Sequence, residues 1–143
     1  MRLTRFTDNA LRCLVYLGLH REETATVADV ARRMAMSEDH LLKVVQRLAS
    51  LGYVQTIRGR HGGVRLAQTP ADIRIGTVVR ETEDNLNLVE CFDAETNQCP
   101  IAPVCGLARA LDEALTAFLA VLDTYTLQDF LAQPRKLERL LRA

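Results

Sequence analysis

Apolar residues near the start of the chain recur at helical spacing. The repeat consists of Phe6, Ala10, Leu14 and Leu17 within FTDNALRCLVYLGLH. Intervals of four, four and three place these side chains on one face of a helix. Thr7 or Asp8 is suited to cap its start, and the polar tract REETAT marks its end. The pattern therefore predicts a first amphipathic helix.

Two further helices are predicted close together. In TVADVARRMAM, Thr26 is a suitable N-cap and the acidic Asp29 stands three residues later, a near-match to a capping box. In SEDHLLKVVQRLASLG, Ser37 is the N-cap and Gly52 the stop signal. We expect the buried face of the second helix to comprise Leu41, Leu42, Val44, Val45, Leu48 and Leu51. Two helices joined by about three residues around Met36 indicate a helix-turn-helix.

The pattern then changes to the alternation that is typical of strands. YVQTIRGRHGGVRLAQ alternates over residues 54–57, passes through Gly59, Gly62 and Gly63, and returns over residues 64–66. This predicts a hairpin with a cationic tip. A helix-turn-helix followed by a basic hairpin is a winged helix. We therefore expect a mainly α fold with a small β-hairpin wing.

A long apolar stripe lies near the end of the chain. In LARALDEALTAFLAVLDTYTLQDFL, apolar residues from Leu107 to Tyr125 recur every three to four positions over about five turns. Pairing with the same helix of a second copy would bury this face, so we expect a homodimer; the alternative is packing on its own domain. The predicted organisation is a winged helix-turn-helix DNA-binding domain (1–80), a cysteine-bearing loop region (81–106), and a dimerisation helix with a tail (107–143).

Charge is distributed unevenly along the 143 residues, although the formal net charge is zero. Residues 1–80 contain 13 Lys and Arg against 7 Asp and Glu, whereas residues 81–143 contain 5 against 11. The first part therefore favours a polyanionic partner. No apolar run approaches membrane-spanning length and no secretion signal is evident. We expect a cytoplasmic protein without a membrane partner.

The second helix of the helix-turn-helix and the wing carry the candidate DNA contacts. On the helix they are Ser37, Glu38, His40, Lys43 and Arg47, and on the wing Arg58, Arg60, His61, Gly62 and Gly63. Glu38 is suited to accept a hydrogen bond from cytosine N4, and His40 or Lys43 to donate to guanine. An extended arginine, Arg58 or Arg60, suits a narrow minor groove. For any one helix residue, the alternative is an ordinary solvated position.

Three of the four cysteines, Cys91, Cys99 and Cys105, have the spacing C-x7-C-x5-C. These intervals are wider than the paired spacings of structural zinc sites. Thiolates favour iron-sulphur clusters, zinc or cuprous copper. Three cysteines leave a four-iron cluster one ligand short, so another ligand or an open iron would complete it. Ordinary thiols remain the alternative, and we expect Cys13, on the apolar face of the first helix, to lie in the core.

Together these features resemble the winged-helix iron-sulphur regulators of bacteria, and among them the nitric-oxide-sensing repressors. The similarity rests on MRLTRFTDNALR, IRGRHGGVRLA, IRIGTVVRETE, the three-cysteine loop and LDTYTLQDFL. It implies a homodimer that binds double-stranded operator DNA when its cluster is intact and releases the DNA when nitric oxide attacks the cluster.

The resemblance also implies roles for individual residues. Cys91, Cys99 and Cys105 take the places of the cluster cysteines, and Asp8 of the partner subunit takes the place of the fourth ligand of a 4Fe-4S cluster. A 2Fe-2S cluster is the alternative. In relatives with that cluster a histidine follows the third cysteine, whereas this chain has Ala108 there. The minor-groove arginine of the family corresponds to Arg58.

Two other functions stay open from the sequence. The first is a regulator of the same fold that senses iron-sulphur status or redox through a different cluster or free thiols. The second is a small iron-sulphur carrier or redox protein. We find no nucleophile-base pair or cofactor loop, so an enzyme is not expected.

Overall fold

The computed structural model describes residues 2–60 and 62–142, and it confirms a mainly α fold with one hairpin. The helices are α1 (Arg5–Leu19), α2 (Val27–Arg33), α3 (Glu38–Ser50), α4 (Ile75–Thr82), α5 (Gly106–Asp123), α6 (Leu127–Phe130) and α7 (Pro134–Leu141). The strands are β1 (Val54–Ile57) and β2 (Gly63–Leu66). Two short 3-10 turns, Glu90–Phe92 and Ala102–Val104, lie in the cysteine loop.

Helix α1 begins earlier than the sequence pattern predicts. Its N-cap is Thr4, whose hydroxyl accepts a hydrogen bond from the Thr7 backbone N–H at 3.2 Å. The prediction that Thr7 or Asp8 caps the helix is therefore wrong, since both lie within the first turns. The Glu83 carboxylate fixes the earlier start, because it accepts from the Thr4 backbone N–H at 2.8 Å and from the Thr4 hydroxyl at 3.0 Å.

The helix-turn-helix forms as predicted. Thr26 caps α2 through the Asp29 backbone N–H, and Ser37 caps α3 through the His40 backbone N–H. In the turn between them, Ala35 has a positive φ of 51°, and the Arg12 guanidinium of α1 donates to the Met34 carbonyl. This contact holds the turn against α1.

The buried face of α3 is narrower than predicted. Its fully or almost fully buried side chains are Leu41, Val44, Val45 and Leu48, which pack with α1 and α2 in one hydrophobic core. Leu51 is half-buried. Leu42 is 48% exposed, so its assignment to the core is wrong.

The wing is an antiparallel hairpin anchored to the helical core. Val54 pairs with Leu66, and Ile57 pairs with Gly63. A β-bridge joins Val64 to Ala25, through backbone hydrogen bonds of 3.0 and 2.7 Å. The connection between α1 and α2 therefore supports the wing along β2.

The last third of the chain is joined to the winged helix by main-chain hydrogen bonds. Ile75 N–H donates to the Tyr125 carbonyl at 3.1 Å, and Leu127 N–H donates to the Ile73 carbonyl at 2.9 Å. Helix α5 has the expected length of about five turns, 18 residues, but it ends at Asp123. The predicted continuation of the helical repeat to Tyr125 is wrong because the backbone turns there to pair with residues 73–75.

Within residues 2–60 and 62–142, no helix is long and apolar enough to cross a membrane. The division at 80/81 and at 106/107 stays a prediction. Helix α4 runs across the first of these boundaries.

Candidate cluster loop and DNA-reading surface

The three clustered cysteines lie on one irregular loop between α4 and α5. Cys91 is in the first 3-10 turn, Cys99 follows an Asn97 turn in which the Cys99 backbone N–H donates to Oδ1 at 2.9 Å, and Cys105 is the N-cap of α5. All three are free thiols and half-buried. The loop therefore presents three soft ligands, the last of them at the partially positive N-terminus of a five-turn helix.

The donor set fits an iron-sulphur cluster by its chemistry, because thiolates are the usual protein ligands of iron in such clusters. Within the described part of the chain, no group of three or more His, Cys, Asp or Glu side chains lies close enough to hold a metal ion. The single chain thus supplies the thiols without gathering them into a closed site.

Cys13 differs from the other cysteines. It lies in the core with no exposed surface, as predicted, and burial raises the pKa of its thiol to about 12. A thiol with this pKa stays protonated near neutral pH, and the thiolate is the form that binds metal. Cys13 is therefore a core residue.

Asp8 lies on the exposed side of α1, in the first turn after the N-cap Thr4. Its carboxylate is 3.5 Å from the Arg12 guanidinium, and the side chain is 60% exposed. Together with Arg12, Met36 and His40 it lines a cavity of about 450 Å³ beside the helix-turn-helix. Since no three-residue ligand group forms in the described residues, Asp8 is not gathered with two of the cysteines of its own chain.

The predicted contacts on α3 do not share one orientation. Glu38 and Lys43 are exposed, and Ser37 serves as the cap. The His40 ring is turned toward α1, where it meets the Phe6 ring edge-on at 6.1 Å between centroids, and its Nε2 is buried without a hydrogen-bond partner among the described residues. Arg47 donates to the Glu81 carbonyl of α4 at 3.1 Å.

The wing tip is polar and exposed. Arg58 and Arg60 are both exposed, and the Gly62 N–H donates to the Gly59 carbonyl at 2.9 Å, which closes the turn. Gly63 begins β2. The remaining candidate, His61, lies outside the described residues.

Leu42 is a candidate contact that the sequence interpretation missed. It lies on the exposed side of α3 beside Lys43, where an apolar side chain is suited to contact a thymine methyl group. The helical wheel of α3 could have shown that Leu42 is exposed. Leu41, Val44, Val45 and Leu48 already complete a helical stripe, and Leu42 stands about 100° away from Leu41 on the wheel.

Helix α5 leaves most of its apolar face uncovered within the chain. Leu119 is its buried residue, whereas Leu107 and Val121 are 67% and 56% exposed. Leu111 and Phe118 line an open cavity of about 680 Å³ that also reaches the N-terminal segment and residues 83–88.

A family model described as Rrf2, iron-dependent transcriptional regulator, matches residues 3–133. The chain belongs to the Rrf2 family. It is 52% identical over 143 residues to the HTH-type transcriptional regulator NsrR of Bacillus subtilis strain 168, covering 99% of this chain and 98% of that protein. It is 55% identical over 143 residues to the NsrR of Geobacillus kaustophilus strain HTA426, covering 99% and 97%.

Solved structures share the Rrf2 fold. The structure of T. potens IscR matches with a TM-score of 0.74 at 23% identity, over 92% of this chain and 86% of that one. CymR, described as the global cysteine regulator of B. subtilis, matches with a TM-score of 0.71 at 24% identity, over 91% and 95%. The resemblance inferred from the sequence is confirmed. The protein is a DNA-binding transcriptional regulator and not an enzyme.

Proposed function

We propose that the protein is a nitric-oxide-responsive transcriptional repressor that senses through an iron-sulphur cluster and acts in the cytoplasm as a homodimer on double-stranded operator DNA. The observation that carries this proposal is the placement of three free, half-buried thiols on the loop that leads directly into α5, in a chain of the Rrf2 family. The resemblance to nitric-oxide-sensing repressors supports the choice of signal.

Cys91, Cys99 and Cys105 are the proposed cluster ligands, with Asp8 of the partner subunit as the fourth. A 4Fe-4S cluster agrees best with three thiolates and one carboxylate, and a 2Fe-2S cluster is the alternative. When bound, such a cluster supplies iron that reacts with nitric oxide. The exposure of Asp8 and the absence of a closed ligand group in the described residues of one chain agree with a ligand that serves a second subunit.

The proposed dimer surface is the apolar face of α5. Exposed Leu107 and Val121 and the cavity beside Leu111 and Phe118 leave apolar area in water that a second copy would bury. Because Cys105 immediately precedes α5, a change in the cysteine loop acts on the helix that sets the relation of the two subunits. DNA half-sites have fixed spacing, so a small change in that relation lowers operator affinity.

For DNA reading, we propose that exposed Glu38 and Lys43 contact base edges or phosphates in the major groove, with Ser37 at the helix start. His40 and Arg47 belong to the same proposed surface only if they leave their contacts with Phe6 and Glu81. Arg58 and Arg60 of the wing, with His61, Gly62 and Gly63, are the proposed contacts to the adjacent minor groove.

The experiment is to purify the protein without air, record its visible spectrum and iron content, and titrate it with nitric oxide. Binding to a labelled DNA duplex, selected by the protein from a random pool, is followed at constant salt. We expect a coloured protein whose cluster absorbance and DNA affinity fall together.

Two results would contradict parts of the proposal. Equal DNA affinity of cluster-loaded and cluster-free protein would refute the switch. A protein that stays colourless and iron-free after reconstitution, yet responds to a thiol oxidant, would favour the same-fold regulator that senses through free thiols.

A further inference from the structure

The last turn of α4 and the residue after it, 80–83, meet three other parts of the molecule. The Arg80 guanidinium makes two hydrogen bonds with the Asp123 carboxylate at the end of α5, at 2.6 and 2.7 Å. Glu83 holds Thr4 at the start of α1. Glu81 lies between them and faces α3 and the wing. We call residues 80–83 the α4 junction.

Glu81 contacts both DNA-reading elements at once. Its backbone carbonyl accepts a hydrogen bond from Arg47 of α3 at 3.1 Å. Its carboxylate accepts a hydrogen bond from the Tyr53 hydroxyl, and Tyr53 directly precedes β1 of the wing. One residue of α4 therefore ties the C-terminal half of α3 to the base of the hairpin.

Tyr53 is itself placed at the joint between α3 and the wing. Its backbone N–H donates to the Leu48 carbonyl of α3 at 3.0 Å, and its carbonyl accepts from the Ala67 N–H, beyond β2, at 2.9 Å. The side chain is 6% exposed. Burial raises the pKa of the Tyr53 hydroxyl, as does its hydrogen bond to Glu81, so the hydroxyl remains a donor at neutral pH.

Contacts at the start of α4 give Glu81 further support. Gly76 leaves room for the Asp123 carboxylate, because a Cβ at that position would collide with it. Arg74 also donates to the Asp123 carbonyl at 3.1 Å. Helix α4, which carries Glu81, is thus held at the C-terminal end of α5, and it also packs on α1.

We infer that Glu81 is a positioning residue for DNA recognition. Its carboxylate holds Tyr53, and with it the angle between the recognition helix α3 and the wing. Specific binding requires α3 and the wing to enter neighbouring grooves together, so a loose joint between them costs sequence-specific affinity. Non-specific binding depends mainly on cationic side chains near phosphates and does not need this angle. Loss of the hydrogen bond between Tyr53 and the Glu81 carboxylate therefore reduces selectivity more than general DNA affinity.

The test compares Glu81→Ala, Tyr53→Phe, their double variant and Glu81→Gln. Each is measured by fluorescence anisotropy, at one salt concentration, with the duplex that the wild type selects from a random pool and with a scrambled duplex of equal length. Glu81→Gln is the matched control, since it removes the charge but keeps an oxygen that accepts from Tyr53.

We expect Glu81→Ala and Tyr53→Phe each to lower affinity for the selected duplex about fivefold, the order of one lost hydrogen bond. The double variant should be no weaker than either single one, because both remove the same contact. Affinity for the scrambled duplex should stay within about twofold of wild type, and Glu81→Gln should resemble wild type.

Several outcomes would overturn the positioning role. They are an unchanged affinity of the folded variants for the selected duplex, equal losses on both duplexes, or additive losses in the double variant. If circular dichroism shows that Glu81→Ala does not fold, the affinities of Tyr53→Phe serve as the test, because this variant removes only a hydroxyl. A wild type that selects no duplex would instead refute sequence-specific reading, and with it the role of Glu81.

Discussion

Gly63 of the wing lies against the connection between α1 and α2. A Cβ at Gly63 would meet the Ala25 carbonyl and the Thr24 side chain. The wing also contains Gly59, where a Cβ would meet nothing within 4 Å. Both glycines have positive φ, +159° and +109°. Gly63→Ala and Gly59→Ala therefore share a conformational cost, and only Gly63→Ala adds a steric one.

The magnitudes follow from these contacts. An alanine at positive φ costs roughly 1 kcal/mol in either position. At Gly63 the collision pushes Ala25 away and weakens its two backbone hydrogen bonds with Val64, each worth about 0.5–1.5 kcal/mol. We therefore expect Gly63→Ala to lower the free energy of unfolding by about 2–4 kcal/mol, and Gly59→Ala by about 1 kcal/mol.

Urea unfolding followed by circular dichroism measures both values, with Gly59→Ala as the matched control. A second readout is DNA binding, because a wing released from Ala25 holds Arg58 and Arg60 less firmly, so Gly63→Ala should bind DNA less well than Gly59→Ala. Equal free energies of unfolding for the two variants would contradict this prediction, since the collision with Ala25 would then carry no cost.

Three further predictions concern the cysteine loop, the wing and the contact between α4 and α5. Cys99→Ser should prevent the visible absorbance and iron content that reconstitution gives the wild type, whereas Cys13→Ser should retain both; equal spectra would contradict the assignment of ligands. Arg58→Ala should weaken binding to the selected duplex and reduce the slope of log affinity against log salt by about 1, and an unchanged slope would place Arg58 away from DNA. The Arg80 guanidinium holds the pKa of the Asp123 carboxyl below its usual value, so the stability from this pair is present above the unfolded-state pKa of about 3.9 and is lost as pH falls through the lower folded-state pKa. Asp123→Asn should accordingly show a smaller loss of unfolding free energy between pH 6 and pH 3 than wild type, and parallel curves would show that the pair contributes nothing.

Local chemistry predicted the elements of the winged helix. Thr26 and Ser37 are caps in the structure because each hydroxyl reaches a backbone N–H three residues ahead, a relation that the sequence shows directly. The hairpin was predicted for the same kind of reason, since alternation and glycines act over a few residues. The helix-turn-helix and the wing could therefore be recognised without any long-range information.

The errors at the two ends of helices α1 and α5 arose because distant residues decide where those helices begin and end. The start of α1 depends on Glu83, which is 79 residues from Thr4, and the end of α5 depends on pairing with residues 73–75. Neither partner is visible in a local pattern. The positions of Arg47 and His40 likewise depend on Glu81 and Phe6, so their residue types alone did not show where their side chains point.

The type of ligand at the candidate cluster site could be predicted from the sequence, but the arrangement of the ligands could not. Three thiols on a short stretch indicate soft ligands wherever they lie. Their distances from one another depend on a loop with little regular structure, and on a proposed fourth ligand from another subunit, which spacing along one chain does not specify.

Helix α5 connects the cysteine loop to α4 and transmits any displacement of that loop. Its 18 residues make a rod about 27 Å long, with Cys105 at one tip and Asp123 anchored at the other. Tilting such a rod by one degree about its anchored tip moves the thiol-bearing tip by about 0.5 Å, by the same rise per residue. A displacement of the loop by less than a bond length therefore tilts α5 by only a few degrees about Asp123. The stiffness of the contacts between Asp123 and α4 determines how much of this tilt reaches the rest of the molecule.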